Sequence, residues 1–140
     1  MSFTDIAATN AMFDDYFGAS DDRFKVTTMQ DGFAAIELTT EKQHMRPGDM
    51  VNGPTQMHLT DSVAYVCVFT KLGITPMAVT SSLNIHFLRP CIGPNVRAEG
   101  TMVRIGQTLA VVDVRIFGEG HRDAAAAATV TYALPKQAGV

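Results

Sequence analysis

Apolar positions along the chain change period repeatedly, and each change marks an element. In residues 5–17, Ile6, Met12, Phe13, Tyr16 and Phe17 recur at helical spacing, and Gly18 suits a helix end. Residues 23–29 and 33–40 predict two strands joined by the turn Gln30-Asp31-Gly32. Arg46-Pro47-Gly48-Asp49 breaks that pattern, and a loop leads to Asn52-Gly53-Pro54. Residues 55–72 are apolar nearly all round. Residues 64–69 alone would suit a strand, but the whole stretch is too long for one. Asn52 as a cap, Pro54 in the first turn, and Lys71 with Gly73 at the far end predict one buried helix instead.

After Pro76 the period becomes two. Val79, Leu83, Ile85 and Phe87 alternate with Ala78, Thr80, Asn84, His86 and Leu88, which predicts a long strand. Residues 89–94 turn the chain, 96–104 form another strand, and Ile105-Gly106-Gln107 a tight turn. Residues 109–117 alternate cleanly, Val112, Val114 and Ile116 against Asp113 and Arg115. Gly118-Glu119-Gly120 makes a further hairpin. The alanines at 124–128 favour helix, yet they run into Thr129-Val130-Thr131-Tyr132, so the stretch is read as the last strand. The expected order is strands, a central helix, then an antiparallel meander. That is an α+β architecture, an antiparallel sheet wrapped around one long central helix. One domain is expected over residues 1–140, with a frayed tail from about 135.

Composition narrows the function classes. With 46% hydrophobic and 18% charged residues in 140, the chain is an ordinary globular protein. Its eleven Lys and Arg are scattered without a basic stripe, which argues against nucleic acid. The acidic pairs Asp14-Asp15 and Asp21-Asp22 read as solvated surface. The two cysteines form no CxxC: Cys67, in an apolar run, reads as core and Cys91, beside Pro90, as the more exposed. No disulfide framework is expected, in keeping with a reducing interior. No signal peptide and no membrane-length apolar segment is read, so a cytoplasmic location is expected. His44, His58, His86 and His121 have no metal-ligand spacing, so neither a metal nor a cofactor is expected.

The candidate chemistry centres on Asp61, a carboxylate in the apolar stretch from Met57 to Leu72. Burying a carboxylate is costly unless it is paired, so it is either functional or a hydrogen-bonded core or interface Asp. It would lie about two turns into the helix, with Met57 and His58 among its helical neighbours. The helix start at Asn52-Gly53 presents free N–H groups and a partial positive charge to an anion. Gly53 would let a ligand approach the backbone, whereas Pro54 has no N–H to give. A partly desolvated carboxylate could activate water or attack an ester carbonyl directly, and an aligned backbone N–H could hold the oxyanion.

The run from Asn52 to Asp61 resembles the His-Gly-Gly…Asp signature of hotdog-fold thioesterases of the PaaI type. The resemblance continues through Ala78-Val79-Thr80, the stretch from Leu83 to Pro90, and the stretch from Val103 to Ala110, covering roughly residues 44–134. It implies a hotdog-fold acyl-CoA thioesterase whose site is shared between the subunits of a homodimer, often paired into a tetramer. Asp61 matches the acidic helix residue, Gly53 the amide that polarises the thioester carbonyl, and Thr80 the hydroxyl residue on the following strand. The family His is replaced by Asn52 and the second glycine by Pro54, while an Asn of some relatives aligns with Arg46. Arg46 would bind a phosphate or an acyl carboxylate, or else sit on the surface. Met57 could line an acyl channel and His58 could pair with Asp61. Arg104, Gly106 and Gln107 match a region that meets the pantetheine and nucleotide of CoA. Two other readings follow: a non-catalytic acyl-CoA-binding protein, favoured by the missing His, and a hydratase, disfavoured by it.

Overall fold

The computed structural model describes residues 5–18 and 23–136. Asp21-Asp22, the first four residues and the chain after Lys136 lie outside the described residues, and with them the surface reading of that acidic pair and most of the expected tail.

Helix α1 (Ile6–Phe17) is capped by Asp5, whose carboxylate accepts from the N–H groups of Ala7 and Ala8. It buries Thr9, Met12 and Phe13. Asn10 latches it to strand β1 (Lys25–Gln30): its Oδ1 accepts from the Val26 N–H at 2.9 Å and its Nδ2 donates to the Val26 carbonyl at 3.2 Å. The side-chain amide thus acts as a strand partner where the edge of the sheet would otherwise stand open. β1 and β2 (Phe33–Thr39) form the expected hairpin, with Gln30 opposite Phe33 and Gly32 in the left-handed region that a two-residue turn needs.

Two short strands, β3 (Met45–Arg46) and β4 (Met50–Val51), pair with each other and lead into helix α2 (Gly53–Leu72). Asn52 caps α2 by accepting from the Thr55 N–H at 2.8 Å, and Gly73 closes it by donating to the Phe69 carbonyl at 2.8 Å. The helix is buried without interruption from Ser62 to Thr70. Around it wraps an antiparallel sheet in the order β1-β2-β6-β7-β8-β5, where β5 is Val79–Phe87, β6 Asn95–Ile105, β7 Leu109–Gly118 and β8 Ala126–Ala133. Val112, Val114 and Ile116 of β7 and Ala126, Ala128 and Val130 of β8 are buried with the helix. Each larger aliphatic side chain so buried contributes about 1.5–3 kcal/mol. Among the described residues, no helix is long and apolar enough to cross a membrane.

Two expectations need correction. β6, β7 and β8 form a meander, but β5 pairs with β8 rather than β6 and occupies the opposite edge of the sheet. Pro90 and Pro94 oppose a tight β5–β6 hairpin, and the connection instead crosses the ends of β8 and β7. Leu88 and Arg89 donate to the Ala125 carbonyl at 2.8 and 3.2 Å, and Glu119 donates to Ile92 at 3.1 Å. Gly118 permits this crossing, since a Cβ there would run into the Ile92 backbone. Cys91 lies in the same connection and is buried, only 1% exposed, because its carbonyl accepts from the Val51 N–H at 2.8 Å and holds it against β4.

Candidate active site

Asp61 lies where α2 faces the start of β5 and the end of β8. The Thr80 hydroxyl donates to its Oδ1 at 2.6 Å, and the Tyr132 hydroxyl reaches the same oxygen at 2.9 Å. Tyr132 also lies 2.9 Å from the Asp61 carbonyl oxygen, so its single proton is shared between two acceptors of one residue. Both donors fix the rotation of the carboxylate, and among the described residues none claims Oδ2. Burial drives the Tyr132 pKa upward, the charge of Asp61 pushes the same way, and the Thr80 hydroxyl partly offsets this. Tyr132 therefore keeps its proton and acts as a donor. The sequence reading missed this residue. Its signal is a tyrosine inside an alanine- and valine-rich strand, where a buried hydroxyl must find a partner.

A cleft of about 330 Å³ opens beside this carboxylate, walled by Phe13, Phe17, Phe24 and Tyr65. Tyr65 stacks on Tyr132 with ring centroids 5.7 Å apart and turns its own hydroxyl to the Pro76 carbonyl at 2.7 Å. His58 stands exposed on the rim with its ring 5.8 Å from that of Phe24. Partial desolvation by the cleft lowers its pKa. Asp61 pulls the other way, and His44 and Arg23 add smaller downward pushes, which leaves a neutral imidazole.

The other end of the helix forms a separate cleft of about 380 Å³, lined by Arg46, Gly53, Gln56, Phe87 and Arg89. The first turn of α2 offers few backbone donors. Pro54 has none, the Thr55 N–H is taken by Asn52 Oδ1, and Gln56 donates to the Asn52 carbonyl at 3.3 Å. Gly53 is left as the N–H without a partner among the described residues, and a Cβ on it would meet the Phe87 ring at 3.6 Å. Gln56 is 5% exposed, and its Oε1 has no partner there either.

Gly53, Met57 and Asp61 follow one another at intervals of four along the helix, the part of α2 that the sheet leaves uncovered. Eight residues of helix separate Gly53 from Asp61 by about 12 Å, so a single carbonyl cannot touch both within one chain. Beside that stripe, β5 is an unpaired edge among the described residues, and Val79, Phe87 and the adjoining Leu88 are 60%, 51% and 54% exposed.

Of the residues singled out in the sequence, Thr80 meets Asp61 directly, His58 shares its cleft, and Met57 lies exposed between the two ends of the stripe. Arg46 joins Gly53. Asn52 is committed to structure, since its Nδ2 donates to the Gln43 carbonyl at 3.1 Å while Oδ1 caps the helix. Arg104, Gly106 and Gln107 sit at the β6–β7 turn, two strands from β5, and none lines the Asp61 cleft. Burial pushes the thiols of Cys67 and Cys91 up to about 12 and about 11, so neither is a nucleophile at neutral pH.

Residues 48–125 match the family model described as the thioesterase superfamily. The chain belongs to that superfamily. It is 34% identical over 99 residues to a Thermoplasma acidophilum protein named "Putative esterase", a match spanning 70% of this chain and 74% of that one. A crystal structure of a "putative thioesterase" from Silicibacter sp. superposes with a TM-score of 0.87 at 29% identity, over 96% of this thioesterase-superfamily chain and 94% of the other. The E. coli PaaI protein from the phenylacetic acid degradation operon shares the fold at 21% identity, with a TM-score of 0.77 over 92% and 93% of the two chains. The sheet wrapped around α2 is the hotdog fold expected from the resemblance.

Proposed function

We propose that this protein is an acyl-CoA thioesterase that works as a homodimer or a dimer of dimers, with each site built from Asp61 of one subunit and Gly53 of its partner. The observation that carries the reading is the separation of the two groups. An anchored carboxylate and a free backbone N–H lie about 12 Å apart on the one helix face left uncovered, next to an unpaired strand edge. A two-fold axis beside β5 would bring each Asp61 to the other chain's Gly53 and give two equal sites. The same contact would cover the exposed side chains of Val79, Phe87 and Leu88.

In the reaction, the Gly53 N–H holds the thioester carbonyl oxygen and stabilises the negative charge that develops there. Asp61, through Oδ2, either takes a proton from the attacking water or attacks the carbonyl carbon itself to form an anhydride that water then opens. Collapse of the intermediate breaks the C–S bond, CoA leaves as the thiolate, and a proton restores the thiol. Thr80 and Tyr132 keep Oδ1 occupied and so present Oδ2 to the reaction. Arg46 and Arg89, in the Gly53 cleft, carry positive charge for the CoA phosphates. The test is thiol release from a panel of acyl-CoAs. Release that Asp61→Asn abolishes without weakening ester binding supports the enzyme, whereas binding without release in the unmodified protein would replace it with an acyl-CoA-binding protein.

A further inference from the structure

Part of the wall of the Asp61 cleft comes from outside the family-matched segment. Phe13 and Phe17 lie on α1, Phe24 leads into β1 and Tyr132 lies near the end of β8, whereas the match covers residues 48–125. The matched segment carries the carboxylate, the free amide and Tyr65, and the flanks of this chain add the rings that complete the space beside them.

That space is a corridor of rings. Tyr132, on Asp61, stacks on Tyr65; Tyr65 meets Phe13 edge-on at 5.9 Å; and Phe13 meets Phe24 at 5.1 Å and Phe17 at 5.6 Å. Phe13 is only 5% exposed and closes the end, whereas Phe17 is 62% exposed and stands at the rim. Neither tyrosine hydroxyl is free to meet a ligand, since one serves Asp61 and the other Pro76. At about 330 Å³ the cleft is at the small end of ligand pockets. The wall is also held in place: the Asn10–Val26 pair and the 2.7 Å ion pair between Arg23 and Asp14 tie α1 to the start of β1.

We infer that α1 walls the acyl pocket of the Asp61 site and that Phe13 is its depth stop, so the preferred substrates carry compact apolar acyl groups. This rests on the thioesterase reading above. The rings reward apolar contact along the corridor, while His58, Ser62 and Thr80 are the polar side chains that line it beside Asp61. Asn10 touches no substrate; as a positioning residue it fixes where the stop stands.

The test measures kcat/KM for thiol release from butanoyl-, octanoyl-, dodecanoyl- and phenylacetyl-CoA with the unmodified protein, Phe13→Ala, Phe17→Ala and Asn10→Ala. Phe13→Ala should raise the dodecanoyl-to-butanoyl ratio at least tenfold, Phe17→Ala should move it less, and Asn10→Ala should blur the preference without lowering activity on the best substrate more than a few-fold. If Phe13→Ala does not fold, Phe13→Leu should still shift the ratio in the same direction. A folded Phe13 variant with an unchanged ratio overturns the inference and leaves the thioesterase reading intact. Should the unmodified protein release no thiol, calorimetric titration with octanoate and dodecanoate reads the pocket alone. Dodecanoate binding gained only in the Phe13 variant supports the depth stop, and equal binding by both proteins refutes it.

Discussion

The Tyr132 hydroxyl sits 2.9 Å from Asp61 Oδ1, across 71 residues of sequence, and meets the Thr80 hydroxyl on the same oxygen. Two donors on one carboxylate oxygen orient the group, so removing either should loosen it and removing both should cost less than the sum. Tyr132→Phe and Thr80→Val are each expected to lower kcat about tenfold, with a net stability loss of about 1 kcal/mol per hydrogen bond. The double variant should fall short of additivity. Steady-state kinetics and thermal melts on the four proteins check this, and strict additivity would mean that the two hydroxyls act separately.

Asp61→Asn keeps the size of the side chain and an oxygen that can accept from Thr80 and Tyr132. It should therefore fold with little change in Tm and lose roughly 100-fold or more in thiol release, the scale of a lost acid–base group. A variant that keeps most of its activity would show that the carboxylate is structural.

His58 gives a pH signature. Its folded pKa is lowered from 6.5 by burial, against the pull of Asp61 and with small contributions from His44 and Arg23. The unfolded chain thus binds the proton more readily, so the stability tied to neutral His58 is intact above 6.5 and is lost as pH falls through the lower folded value. His58→Gln should flatten the fall in Tm between about pH 7 and about pH 5 relative to the unmodified protein. Parallel curves for the two proteins would count against a partly desolvated imidazole.

Asn52 shows how far the sequence alone reaches. The cap, Pro54 and Gly73 marked both ends of α2 because capping is local chemistry, readable within a few residues. The structure adds that Asn52 is spent on the cap and on Gln43, so Asn52→Ala should cost about 1 kcal/mol of stability. Position in the sheet was not legible in the same way. The alternation of β5 fixed its type, but its seat beside β8 depends on the Leu88 and Arg89 bonds to Ala125 and on the space at Gly118, all long-range. Tyr132 escaped for the same reason, since its partner lies on another element. The exposed look of Cys91 came from its neighbour Pro90, whereas its burial comes from β4.

Sharing of the site between subunits can be tested without a structure of the dimer. Gly53→Val should block approach to the amide, and Asp61→Asn should remove the carboxylate, so each protein alone should be nearly inactive. When equal amounts are mixed and allowed to exchange subunits, half the dimers are mixed. In each of those, one site carries both defects and the other pairs an intact Asp61 with an intact Gly53. Activity should return to about a quarter of the unmodified level, as two-fold symmetry requires. If Asp61 and Gly53 of one chain served the same site, every site in the mixture would carry a defect and activity would stay at the level of the separate variants.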